Sequence, residues 1–147
     1  MFKKLIIAAI AILGISAAAS ARDGYTRDLS VLPTAARTVI SDNFKAKISV
    51  IKVEKSFGRV SEYEVILTDG TEITFDKSGN WENIEVRSDA AVPSKFVPEK
   101  VAKYVKDNQH GQKIVSIERE KHGYDIELTN GIDMKFDHDG TFLRYDD

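Results

Sequence analysis

Leu67-Thr68-Asp69-Gly70-Thr71-Glu72-Ile73-Thr74-Phe75-Asp76-Lys77-Ser78-Gly79-Asn80-Trp81 returns as Leu128-Thr129-Asn130-Gly131-Ile132-Asp133-Met134-Lys135-Phe136-Asp137-His138-Asp139-Gly140-Thr141-Phe142, at an offset of 61 residues. Leu-Thr-Asx-Gly, then an apolar residue, Phe-Asp, a second Gly and an aromatic residue keep their spacing throughout. Such a match predicts a duplicated structural unit. Inside each stretch, Asp69-Gly70 and Asn130-Gly131 are strong hairpin signals, because both central positions of the favoured tight turn need positive φ. Lys77-Ser78-Gly79-Asn80 and His138-Asp139-Gly140-Thr141 read as the next turns.

Working outward, apolar residues alternate with polar ones. Tyr63, Val65 and Leu67 precede the first turn, and Tyr124, Ile126 and Leu128 precede its counterpart. This period of two marks strands with one buried face. Ile48, Val50, Ile51 and Val53 suggest a strand with a slip, matched by Ile114 to Glu120. Trp81, Ile84 and Val86 close the first unit, and Phe142 to Tyr145 the second. The turn Lys55 to Ser61 is longer than Lys121-His122-Gly123. Before these strands the period changes. Ala36, Val39, Ile40 and Phe44 follow Leu32-Pro33, and Val101, Ala102, Tyr104 and Val105 follow Val97-Pro98. Both sets have the i, i+3, i+4 spacing of a helix with one apolar stripe, and proline suits a first helical position.

The expected fold is therefore α+β. It is a tandem duplication of a helix followed by a four-stranded antiparallel meander, with the helices packed on one face of the sheet. The predicted divisions are a signal peptide (1–21), an N-terminal segment (22–30), a first repeat (31–86), a linker (87–96) and a second repeat (97–147). Two copies joined edge to edge, or packed face to face, would bury more than separate thin sheets, and a continuous antiparallel sheet with both helices on one face is the favoured arrangement.

The signal peptide is read from Lys3 and Lys4, the apolar run Leu5 to Ile15, and Ala19-Ser20-Ala21 as a cleavage site. The apolar run is too short for a membrane anchor, which needs about 20 residues. Its removal takes the net charge from −2 to −4, because Lys3 and Lys4 leave with it. A mildly acidic chain has no basic footprint for nucleic acid. Cysteine is absent, which removes thiol catalysis and thiolate metal sites and leaves an exported fold without disulfides.

Catalytic constellations are missing. No Gly-x-Ser-x-Gly elbow and no glycine-rich phosphate loop occur. His110, His122 and His138 fall at turns or a helix end. Asp137-x-Asp139-Gly140 resembles part of a calcium loop, but Lys135 stands where its first ligand belongs. Its counterpart is Thr74, Asp76, Ser78 and Gly79. Asp76, Asp137 and Asp139 are thus candidate metal ligands, with hairpin chemistry as the competing explanation. The polar face of the strands offers a second candidate. Glu62, Glu64, Glu72, Asp125, Glu127, Asp133 and Lys135 would point away from the core and form a carboxylate-rich docking face for a basic partner.

The Leu-Pro helix openings, Tyr-x-Val-x-Leu-x-Asp-Gly, and Phe-Asp-x-x-Gly-x-Trp, in two copies behind a signal peptide, resemble the PepSY-like proteins. The likeness runs from Leu32 to Tyr145. These are exported proteins common in Bacteroidetes and similar in structure to the β-lactamase inhibitor protein. The resemblance implies a periplasmic fold without established enzymatic activity, in which related modules restrain peptidases. That inhibitor is disulfide-bonded and this chain has no cysteine. The residues that match are turn glycines, core aromatics and helix-opening prolines, so no inhibitory contact carries over. The functional expectation is an exported, non-enzymatic module without a cofactor, bound to another exported protein or peptide as an inhibitor or regulator. A calcium-responsive protein is the alternative, and a hydrolase comes last.

Overall fold

The period-two stretches become strands. In a computed structural model, which describes residues 24–146, they are β2 (Ile48–Ser56), β3 (Arg59–Leu67), β4 (Glu72–Asp76), β5 (Trp81–Glu85), β6 (Ile114–Glu120), β7 (Gly123–Leu128), β8 (Asp133–Asp137) and β9 (Phe142–Asp146). A two-residue strand, β1 (Tyr25–Thr26), precedes them. The helices are α1 (Thr34–Asn43) and α2 (Glu99–Asn108). Pro33 and Pro98 stand one residue ahead of the first helical residue. The leader expected over residues 1–21 lies outside the described residues.

The fold expectation needs correction. The strands form one nine-stranded antiparallel sheet in the order β1 to β9, with only two ten-residue α-helices among the described residues. The molecule is not two helix-plus-four-strand units set in tandem. Strand β5 pairs with β6 through Asn83↔Glu118, Ile84↔Ile117 and Glu85↔Ser116, and β1 adds to β2 through Tyr25↔Lys52 and Thr26↔Ile51. The reason is edge chemistry. A four-stranded unit would leave a row of unpaired N–H and C=O groups at each side. Joining β5 to β6 satisfies them and merges the apolar layers into one core.

That core is built on one row across the sheet. Ile51, Val65, Ile73, Ile84, Ile117, Ile126 and Met134 are neighbours in register, and all are fully buried. Both helices cover this face. Tyr104 of α2 packs on Phe136 and Phe142, with ring centroids 5.7 and 4.4 Å apart. The Gly79 turn fits so closely under α1 that a methyl group there would stand 2.9 Å from the Ala36 nitrogen.

Residues 87–96, read as a linker, also belong to the core. Val92 and Phe96 are buried. Phe96 stacks on Phe44 at 5.9 Å and meets Trp81 edge-on at 5.5 Å. Backbone bonds from Val86 to Val115 and from Val92 to Ile114 hold the segment against β6. The extra residues between Lys55 and Ser61 lengthen β2 and β3 into a projecting hairpin tipped by Phe57-Gly58, where Phe57 is fully exposed with φ of 50°.

Candidate functional site

The face opposite the helices is polar because of the same alternation. One row across it reads Lys52, Glu64, Thr74, Asn83, Glu118, Asp125, Lys135 and Arg144. The next row reads Ile66, Glu72, Glu85, Ser116, Glu127, Asp133 and Asp146. Glu62 pairs with Asp76 beside them. The predicted face residues Glu62, Glu64, Glu72, Asp125, Glu127, Asp133 and Lys135 are thus brought onto one surface by the register.

They are not equally available. Glu64, Asp125 and Lys135 are buried. The Lys135 ammonium lies 2.7 Å from Asp125 Oδ2 and 3.4 Å from Asp146 Oδ2. Asp125 Oδ1 meets His122 Nε2 at 2.6 Å. Burial alone would lower the Lys135 ammonium, but Asp125 and Asp146 hold it above its ordinary value. Lys135 is therefore a structural counter-ion. One oxygen of Glu64 lies 3.6 Å from Lys52, while the other is buried without a hydrogen-bond partner.

The remaining carboxylates crowd one another. Burial pushes Glu72 up to about 7, with Glu85 and Glu64 adding repulsion. Burial pushes Glu118 up to about 7 as well, helped by Glu120 and Asp125. Glu82, the extra residue of the β5 bulge, is raised by burial and by Asp76 and Glu120. A carboxylate with a raised folded-state pKa favours the folded state at low pH. That advantage disappears as pH climbs from the unfolded value of 4.5 through about 7. The melting temperature should fall by a few degrees between pH 5 and pH 8, and Glu72→Gln with Glu118→Gln should flatten the fall. Parallel slopes for both proteins would refute this.

Glu118, Glu120 and Asp125 each direct one oxygen into a common space, all within 4.8 Å of one another. This cluster escaped the sequence reading. Its members lie on two strands of a hairpin, and the signal was the shortness of Lys121-His122-Gly123, which sets Glu118 opposite Asp125. The predicted ligands are placed differently. Asp76 Oδ1 accepts from the Ser78 and Asn80 amides at 2.8 and 3.0 Å. Asp137 Oδ1 accepts from Asp139 and Thr141, both at 2.9 Å. Both are closing their turns, and Asp139 is exposed. Four strand intervals separate Asp76 from Asp137, about 19 Å, so one ion cannot bridge them.

Residues 61–144, which run from within β3 to within β9, match a family model described as "Putative beta-lactamase-inhibitor-like, PepSY-like". The chain belongs to the PepSY-like family. A crystal structure from Bacteroides vulgatus ATCC 8482, described as a "putative periplasmic protein of unknown function", is 41% identical with a TM-score of 0.79, and the match covers 84% of this chain and 98% of that one. A "putative calcium-regulated periplasmic protein" from Bacteroides thetaiotaomicron is 33% identical, TM-score 0.75, covering 82% and 94%. A third, a "putative periplasmic protein" of the DUF2874 family from Bacteroides vulgatus ATCC 8482, is 35% identical, TM-score 0.73, covering 82% and 94%. No curated protein matches. Like these relatives, this PepSY-like protein is periplasmic. Among its described residues no helix is long and apolar enough to cross a membrane.

Proposed function

We propose that this PepSY-like protein is a non-enzymatic periplasmic binding module whose polar sheet face contacts a basic region of another exported protein. The observation that carries this reading is the row-by-row gathering of carboxylates on the face away from both helices. Glu72 and Glu118 have their ionisation opposed there until a positive group arrives. A cationic partner relieves that repulsion and is steered by it. Immobilised protein at micromolar concentration should retain a basic periplasmic partner and release it as salt rises. Glu72→Lys with Glu127→Lys should abolish retention. Equal retention by this variant, or no partner at all, would overturn the reading.

A specific observation supports calcium response as a second reading. Glu118, Glu120 and Asp125 converge within 4.8 Å, and a relative 33% identical is described as calcium-regulated. Three oxygens, those of Asp125 shared with His122 and Lys135, suit a weak site, with a dissociation constant on the order of 10⁻⁴–10⁻³ M. Because Glu118 must be ionised, affinity should fall severalfold from pH 8 to pH 6. Calorimetry with calcium should give heat that Glu118→Gln with Glu120→Gln abolishes. Absence of heat and of any rise in melting temperature at millimolar calcium would end it.

A further inference from the structure

On the helix side, away from the polar sheet face, a groove of about 590 Å³ opens between α1 and the start of β2. Its walls include Leu29, Ile40, Phe44 and Ile48, and Arg27, Arg37 and Lys47 also line it. Among the described residues no carboxylate lines it. Arg27 donates Nε to the Ser49 carbonyl at 3.1 Å, and Arg37 donates to Thr34 Oγ1 at 3.1 Å. Among the described residues these three cations have no carboxylate partner in the ion pairs found. Leu29 is 50% exposed in the same groove.

A corresponding groove of about 470 Å³ lies beside α2 and shows what the fold itself requires. Val92 and Ala102, sixty-five residues beyond Arg27 and Arg37, line that second groove, whereas Lys113, whose carbonyl accepts from Thr129 as that of Lys47 does from Thr68, does not. The fold builds a similar hollow there with no cation from any of those three positions, Lys106 and His110 lining it elsewhere. Folding therefore does not explain why three cations line the first. An apolar hollow of a few hundred Å³ with a small number of convergent polar groups is the usual form of a small-molecule site.

We propose that the groove between α1 and β2 binds a small amphipathic carboxylate, its hydrocarbon body on Phe44, Ile40 and Leu29 and its head on Arg27, Arg37 and Lys47. Guanidinium groups favour carboxylates through paired N–H donors, and the apolar walls lose contact with water when the body enters.

Octanoate and octan-1-ol at millimolar concentration, followed by amide chemical shifts, test this. Octanoate should shift Phe44, Ile48 and their neighbours and bind at least tenfold more tightly than octanol. Arg37→Gln with Lys47→Gln should weaken octanoate at least tenfold and leave octanol unchanged. Both side chains are exposed, so the fold should survive; Lys47→Gln alone, with a smaller loss, serves if the double variant melts early. Three outcomes would overturn the proposal: no shifts at 10 mM octanoate, shifts centred elsewhere, or equal affinity for octanol.

Discussion

Lys135→Met should cost about 3–5 kcal/mol of stability, the range for stranding one partner of a buried ion pair. For a chain of this size that lowers the melting temperature by roughly 10–20 °C. Lys135 is 7% exposed and Asp125 2% exposed. Removing the ammonium leaves Asp125 and Asp146 without their common counter-ion and Glu118 without a charge that favours its ionisation. His122 reaches only the other oxygen of Asp125. Replacing both partners, Lys135→Met with Asp125→Leu, should restore most of the loss, because Asp125 is then no longer buried without its counter-ion. The raised Lys135 pKa adds a sign. Its contribution is complete below about 10.5 and is lost as pH rises further. Chemical denaturation of the three proteins at pH 7 measures this. A single variant within about 0.5 kcal/mol of the parent would show the pair to be dispensable.

Gly123→Ala should be nearly as damaging, by about 3–4 kcal/mol. Gly123 opens β7 with φ of 143°, and an added Cβ would stand 2.6 Å from the Asp137 Cα and closer still to the Phe136 carbonyl oxygen. Those are main-chain atoms of β8, so no side chain can turn aside. Relief would require β7 to move away from β8, which costs the Gly123↔Asp137 and Tyr124↔Phe136 pairing and loosens Phe136 in the core. Gly131→Ala is the control, with nothing within 4 Å of its added Cβ; it should lose only about 1 kcal/mol of backbone strain. Equal losses for the two variants would remove steric contact as the cause.

Both variants lie where local sequence and tertiary contact meet. The Asp-Gly and Asn-Gly turns were legible because turn chemistry acts within four residues. Strands β3, β4, β7 and β8 were legible because one buried face imposes period two. The same alternation assigned Glu62, Glu72 and Glu127 to the face away from the core. Lys135 could be assigned to that face too, but its neighbours could not be read. Its partners Asp125 and Asp146 sit ten and eleven residues away, and only cross-strand register brings them together. The Glu118, Glu120 and Asp125 cluster was hidden for the same reason.

Alone, the sequence determined the hairpins, the two short helices, the polarity of each strand face, the PepSY-like resemblance and the periplasmic expectation. These follow from local periodicity, turn residues and composition. Tertiary structure alone decided that the strands make one nine-stranded sheet and not two units. It also turned the 87–96 segment into core, through Val92 and Phe96, and left three cations facing an apolar groove. The physical reason is that pairing β5 with β6 satisfies two open edges at once. That gain depends on strands thirty residues apart in the chain meeting in space, which no local pattern encodes.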